Sequence, residues 1–151
     1  MPAIQNFPLI VSFLLLFVYP EINAQQNAST GNCNLELLIN SVKKRDGNFF
    51  IAIYNQPKGF RSPEYAYRTS IIAVKENKQQ VVFKDLPKGT YAIAVFQDWN
   101  GNQTLDLNWV GVPTEPYGFS NNPKLLFGPP GFEQCAFSLI TESLQIQIDL
   151  K

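Results

Sequence analysis

The chain predicts an all-β fold: a single immunoglobulin-like or transthyretin-like β-sandwich of about seven strands, with one long loop rich in proline, glycine and aromatic rings. Three observations carry this. Apolar and polar residues alternate with period two in several short runs, no stretch after residue 24 shows a helical apolar stripe, and Asn, Gly and Pro turn signals separate the runs. Composition then narrows the function classes. With 12 Lys+Arg against 12 Asp+Glu the formal charge is zero, which argues against a nucleic-acid binder, since phosphate contacts need a basic surface. Histidine is absent and the single methionine is the initiator, which excludes Ser-His-Asp and Cys-His catalysis, HExxH zinc sites and copper held by His or Met.

Taken in order, the chain opens with an uncharged apolar run of 13 residues, Phe7 to Tyr19. That is shorter than the roughly 20 residues needed to span a bilayer. Ile22-Asn23-Ala24-Gln25 offers a cleavage site after Ala24, so residues 1–24 read as a secretory signal peptide, with an uncleaved anchor as the alternative. Residues 25–32 are small and polar and read as a flexible lead-in, and residues 33–151 as the sandwich domain. The expected location is exported, periplasmic or extracellular, with no membrane insertion once the signal is removed.

Leu35, Leu37 and Ile39 alternate with polar neighbours as a first strand, and Asp46-Gly47 supplies a turn. Phe49 to Tyr54 and Tyr91 to Phe96 are apolar on both faces, as central strands are. Ser70 to Val74 and Val81 to Phe83 are shorter strands, and a helical turn is expected within 62–68, where the strand pattern lapses. Leu144, Ile146, Ile148 and Leu150 alternate with Gln145, Gln147 and Asp149 as the last strand. Two cysteines in an exported chain point to a Cys33–Cys135 disulfide tying the chain ends. Closing a loop of about 100 residues would be worth up to ~4.7 kcal/mol in the chain-entropy model. Two buried thiols are the alternative.

Residues 113–132 hold five prolines and three glycines together with Tyr117, Phe119, Phe127 and Phe132. A disordered linker is poor in aromatics, so this stretch reads as an ordered Ω-type loop, either functional or capping an open end of the sandwich.

Chemistry concentrates in Asp98-Trp99-Asn100-Gly101-Asn102-Gln103-Thr104-Leu105-Asp106. Oxygen-bearing side chains fall at positions 1, 3, 5 and 9 of this loop, and alternate residues of a tight loop point inward, as a hard cation with 6 to 8 oxygen ligands requires. Asp98, Asn100, Asn102 and Asp106, completed by Glu115, therefore form a candidate calcium site. With few charges its Kd would be about 10⁻⁴ to 10⁻³ M. The competing reading is an Asn-Gly turn whose Asx side chains bond their own backbone. Trp99, Trp109, Tyr117 and Phe119 lie close by in sequence and are expected to gather beside the acids as a surface for a carbohydrate or another cell-envelope ligand, or else to belong to the core.

Leu86-Pro87-Lys88-Gly89-Thr90-Tyr91-Ala92-Ile93-Ala94-Val95-Phe96, then the Asp98-x-Asn100-x-Asn102…Leu105-Asp106 loop, Gly111 to Asn122, and Phe127-Gly128-Pro129-Pro130-x-Phe132 together resemble the bacterial family called domain of unknown function 2141. The resemblance spans roughly residues 33–151. It implies a small exported bacterial β-sandwich with no established activity. The family pattern carries a histidine just before the loop and a glycine at its sixth position, where this chain has Gln97 and Gln103.

The function expected on these grounds is non-enzymatic, a binding or accessory module at the cell envelope. The rivals are a small glycoside hydrolase using Asp98 or Asp106 with Glu115, and a carrier holding an apolar ligand between the sheets.

Overall fold

The computed structural model describes residues 32–125 and 128–151. The expected signal peptide, nearly all of the expected lead-in and Phe127 lie outside them. Eight strands are described: β1 (Cys33–Asn40), β2 (Asn48–Tyr54), β3 (Arg68–Ala73), β4 (Gln79–Leu86), β5 (Gly89–Asp98), β6 (Tyr117–Phe119), β7 (Phe137–Leu139) and β8 (Ser143–Asp149). They form two sheets. One runs β4-β1-β8; the other runs β3-β2-β5-β6, with β7 also paired to β5. A 3₁₀ turn at Pro63–Tyr65 fills the expected helical position, and a single helical turn, α1, covers Phe132–Cys135.

Strand alternation explains the core between the sheets. Leu35, Leu37 and Ile39 of β1 meet Phe49, Ile51 and Ile53 of β2 and Tyr91, Ile93 and Val95 of β5, with Ile148 of β8. Each such aliphatic or aromatic side chain removed from water stabilises the fold by about 1.5–3 kcal/mol. The opposite face of the larger sheet is also apolar, which is why β2 and β5 read as buried on both sides. Phe50, Ala52, Tyr54 and Ala92 pack there against Phe60, Phe119 and Phe132. Phe60 sits edge-on to Tyr54 at 5.1 Å and to Phe132 at 5.8 Å. The proline- and glycine-rich stretch thus forms a third layer over this sheet instead of capping an open end. Two short strands that periodicity did not predict belong to or flank it: β6 and β7 have three residues each.

The disulfide expectation is corrected. Cys33 and Cys135 are both buried, and no bond joins them. Cys33 belongs to the cluster between the sheets and Cys135 to the cluster on the outer face, so the larger sheet stands between them. Burial pushes the Cys135 thiol up to about 11, only partly offset by Arg61, which keeps it protonated and inert at neutral pH. The chain ends are tied by a ladder instead: β1 and β8 pair in parallel from Asn34↔Ser143 to Asn40↔Asp149.

Candidate functional site

β5 delivers its last residue, Asp98, to one end of the larger sheet, beside Asn48 of β2, and residues 99–116 leave and return at this point. The return is fixed because the Gln97 N–H donates to the Pro116 carbonyl at 2.8 Å. Within the loop each acid is an acceptor for nearby donors. Asp98, 3 % exposed, takes the Gly101 N–H on Oδ1 at 2.7 Å and the Gln103 N–H on Oδ2 at 2.8 Å. Glu115, 5 % exposed, takes the Trp99 N–H at 2.8 Å and the Asp106 N–H at 3.1 Å, so one carboxylate clamps the outgoing arm at two places. Asp106 accepts from the side-chain amides of Asn100 at 2.6 Å and Asn102 at 2.9 Å. The amide oxygens of Asn100 and Asn102 accept the N–H of Asn102 and Thr104, two successive Asx turns.

The five candidate calcium ligands are therefore brought into one loop, and their oxygens meet N–H donors there. Among the described residues, no group of three or more Asp, Glu, Cys or His side chains is gathered as a metal ion would need.

Beyond this base rises a small hairpin. Leu107 and Pro113 form an antiparallel bridge, the Thr114 N–H donates to the Asp106 carbonyl, and the Asn108 N–H to the Val112 carbonyl. Asn108 organises the tip, its Oδ1 accepting the N–H of Val110 at 3.1 Å and of Val112 at 2.9 Å. The Gly111 N–H closes onto the Asn108 carbonyl. Asn108 went unnoticed in the sequence, although an Asn three residues before a Gly is a local turn signal.

The four aromatic residues do not form one surface. Trp109 stands at the tip, 96 % exposed. Trp99 is half-buried under the neighbouring 41–47 loop, with Lys44 Nζ 4.7 Å from its ring centroid, a cation–π contact. Tyr117 and Phe119 lie on β6, rings 5.9 Å apart, and join the outer apolar cluster. Gln97 is fully buried and turned to the other side of the sheet. Its Nε2 donates to the carbonyls of Lys44 at 2.8 Å and Asp46 at 2.7 Å.

The loop carries one strained residue. Gln103 has φ +61, a left-handed conformation that glycine adopts freely and other residues adopt at a cost of about 1–2 kcal/mol. Because Gln103 is exposed, Gln103→Gly is expected to stabilise the protein by about 0.5–1 kcal/mol in urea unfolding, the entropy of the unfolded glycine offsetting part of the relief. A destabilised variant would show that the side chain has a contact outweighing its backbone strain.

Residues 37–147 match the family model described as "Uncharacterized protein conserved in bacteria (DUF2141)", and the chain belongs to that family. No curated protein and no solved structure matches.

Proposed function

We propose that this member of a bacterial family without an assigned activity is an exported, non-catalytic binding module of the cell envelope, its contact loop mounted on an immunoglobulin-like or transthyretin-like sandwich. One observation carries the reading. The acids of the 98–115 loop are spent on holding it in shape, while the tip turns its apolar side chains outward. Trp109 is 96 % exposed, and Leu107, Val110 and Val112 are 56, 56 and 54 % exposed. A folded chain gains nothing by itself from a braced hairpin with an apolar tip, so the tip serves a contact with something else.

The same geometry argues against a hydrolase. Glycoside cleavage needs two carboxyls facing a sugar across an open groove, whereas Asp98 and Glu115 are buried and their oxygens already accept backbone N–H groups. An open depression of about 400 Å³, bounded by Pro57, Phe60, Arg61 and Phe132 among others, lies beyond the far end of β2 and contains none of these acids. A ligand carrier is disfavoured by an interior filled with side chains such as Leu37, Ile51 and Ile93, each fully buried.

The test is cell fractionation. Wild-type protein is expected to stay with the envelope and Trp109→Ala to shift largely into the soluble fraction. Identical distributions of the two would overturn the contact role of the tip.

A weak cation at Asp106 is a second reading, favoured by the convergence of the Asn100 and Asn102 amides on its carboxylate. Turning both amides over would present oxygens to calcium in place of donors. Bracing by hydrogen bonds alone predicts an unchanged melting midpoint from EDTA up to about 10 mM calcium. A saturable rise, not reproduced by magnesium and lost in Asp106→Ala, would assign the loop to calcium.

A further inference from the structure

Resting on the envelope-contact reading above, we infer that the partner of the 107–113 tip is the surface of an anionic lipid bilayer, entered peripherally and without any spanning element. Among the described residues no helix is long and apolar enough to cross a membrane. The tip, however, has the two properties that entry into a bilayer interface requires.

The first is that no charge and few backbone N–H groups at the tip need to be stripped of water. Residues 107–114, Leu-Asn-Trp-Val-Gly-Val-Pro-Thr, contain no charge. The backbone N–H groups of Asn108, Val110, Gly111, Val112 and Thr114 are bonded inside the loop, and Pro113 has none. Where water is scarce, an unsatisfied backbone N–H is costly, and most N–H groups of this hairpin are already bonded. A sugar or a protein partner would be met by polar groups around the ring. Here the other exposed apolar side chains of the tip are Leu107, Val110 and Val112. The indole, apolar with one N–H, is the side chain most at home at the height of lipid headgroups.

The second property is charge at the right height. The 41–47 loop lies against the base of the hairpin, held by the Gln97 amide and by Lys44 over the Trp99 ring. It exposes Lys43, Lys44 and Arg45 in succession. The 74–78 turn joins the same end, since the Val74 N–H donates to the Gly47 carbonyl and Asn77 Nδ2 to that of Val42. It adds exposed Lys75 and Lys78. Against these stand exposed Asp46 and Glu76, while Asp98 and Glu115 are buried and Asp106 is half-buried between two amides. The outward charge around the apolar tip is therefore basic although the whole chain is neutral. Apolar area plus a basic rim is how an interfacial element holds to anionic lipid.

The experiment is co-sedimentation of the purified chain with mixed phosphatidylethanolamine and phosphatidylglycerol vesicles, and with phosphatidylcholine vesicles, with tryptophan emission read alongside. Wild type is expected to sediment with the anionic vesicles and shift its emission to the blue. Trp109→Asp, an exposed change that leaves the melting midpoint unaltered, is expected to lose tenfold or more of the bound fraction. The double variant Lys43→Glu with Arg45→Glu is expected to lose severalfold on anionic vesicles only. Comparing variants in one preparation cancels any contribution from the apolar 7–19 run. Undiminished binding by Trp109→Asp, or no binding by wild type, overturns the inference. If wild type ignores vesicles yet Trp109 still governs envelope retention in cells, the partner is a protein or polysaccharide and the broader reading stands. If retention is also indifferent to Trp109, both fall.

Discussion

Glu115→Ala is expected to destabilise the protein by about 2–4 kcal/mol, a large loss for a residue whose neighbours in sequence are loop. The carboxylate takes the N–H groups of Trp99 and Asp106, at 2.8 and 3.1 Å, and is itself 5 % exposed. Hydrogen bonds to an ionised acceptor are worth about 1.5–3 kcal/mol each, and truncation leaves both donors facing the space where the carboxylate was. The partly buried setting lets some water in and keeps the loss below the full sum. Glu115→Gln separates the roles. It keeps one acceptor but turns an NH₂ toward the other backbone N–H, so it should lose about half as much and free one arm of the clamp. Urea unfolding measures the loss. Amide hydrogen exchange at Trp99 and Asp106 locates it, and should accelerate at both in the alanine variant. A change below about 0.5 kcal/mol, the range of ordinary surface substitutions, would show that Glu115 does not clamp the loop.

Gly47→Ala should cost about 2–5 kcal/mol for a different reason. Gly47 has φ +70, and a Cβ there would overlap the carbonyl oxygen of Asp98, lying 2.9 Å from its carbonyl carbon and 3.0 Å from the Trp99 Cα. The obstacle is backbone. It cannot retreat, because Asn48 is in register with Asp98 across the β2–β5 ladder and the Gln97 amide holds the carbonyls of Lys44 and Asp46. A left-handed alanine costs about 1–2 kcal/mol and the steric overlap about 1–3 more. Gly101→Ala is the control: φ is +78, but nothing lies within 4 Å of its Cβ, so only the conformational part, about 1 kcal/mol, should appear. Equal losses in the two variants would mean that the crowding at Gly47 relaxes without cost.

Much of the fold was legible in the sequence because strand periodicity is a local signal. Leu35, Leu37 and Ile39 and the alternation of 144–150 point to β1 and β8, and the doubly apolar runs at 49–54 and 91–96 mark the two strands covered on both faces. β6 and β7 were not legible, since three residues are too few to show a period. The cysteine pairing failed because spacing along the chain does not say on which side of a sheet a residue falls. The 98–106 loop was legible as a set of inward oxygens at alternate positions, but an ion and an Asx turn ask for the same spacing. What separates them is the direction of the amides of Asn100 and Asn102, which point to Asp106, itself held by Glu115 of the return arm. The tip was missed for a related reason. Leu107, Val110 and Val112 resemble core residues in composition, and only the hairpin held by Asn108 turns them outward.

The parallel pairing of β1 with β8 fixes the order in which this protein completes itself. β1 is the central strand of its sheet, with β4 on one side and β8 on the other. A chain emerging from the ribosome carries β1 well before its parallel partner, so the smaller sheet remains open until β8 is made. Such distant pairing slows folding and postpones its cooperative step until β8 is available. Under the export proposed above, that delay keeps the nascent form threadable, and β8 acts as a latch that closes the smaller sheet after passage.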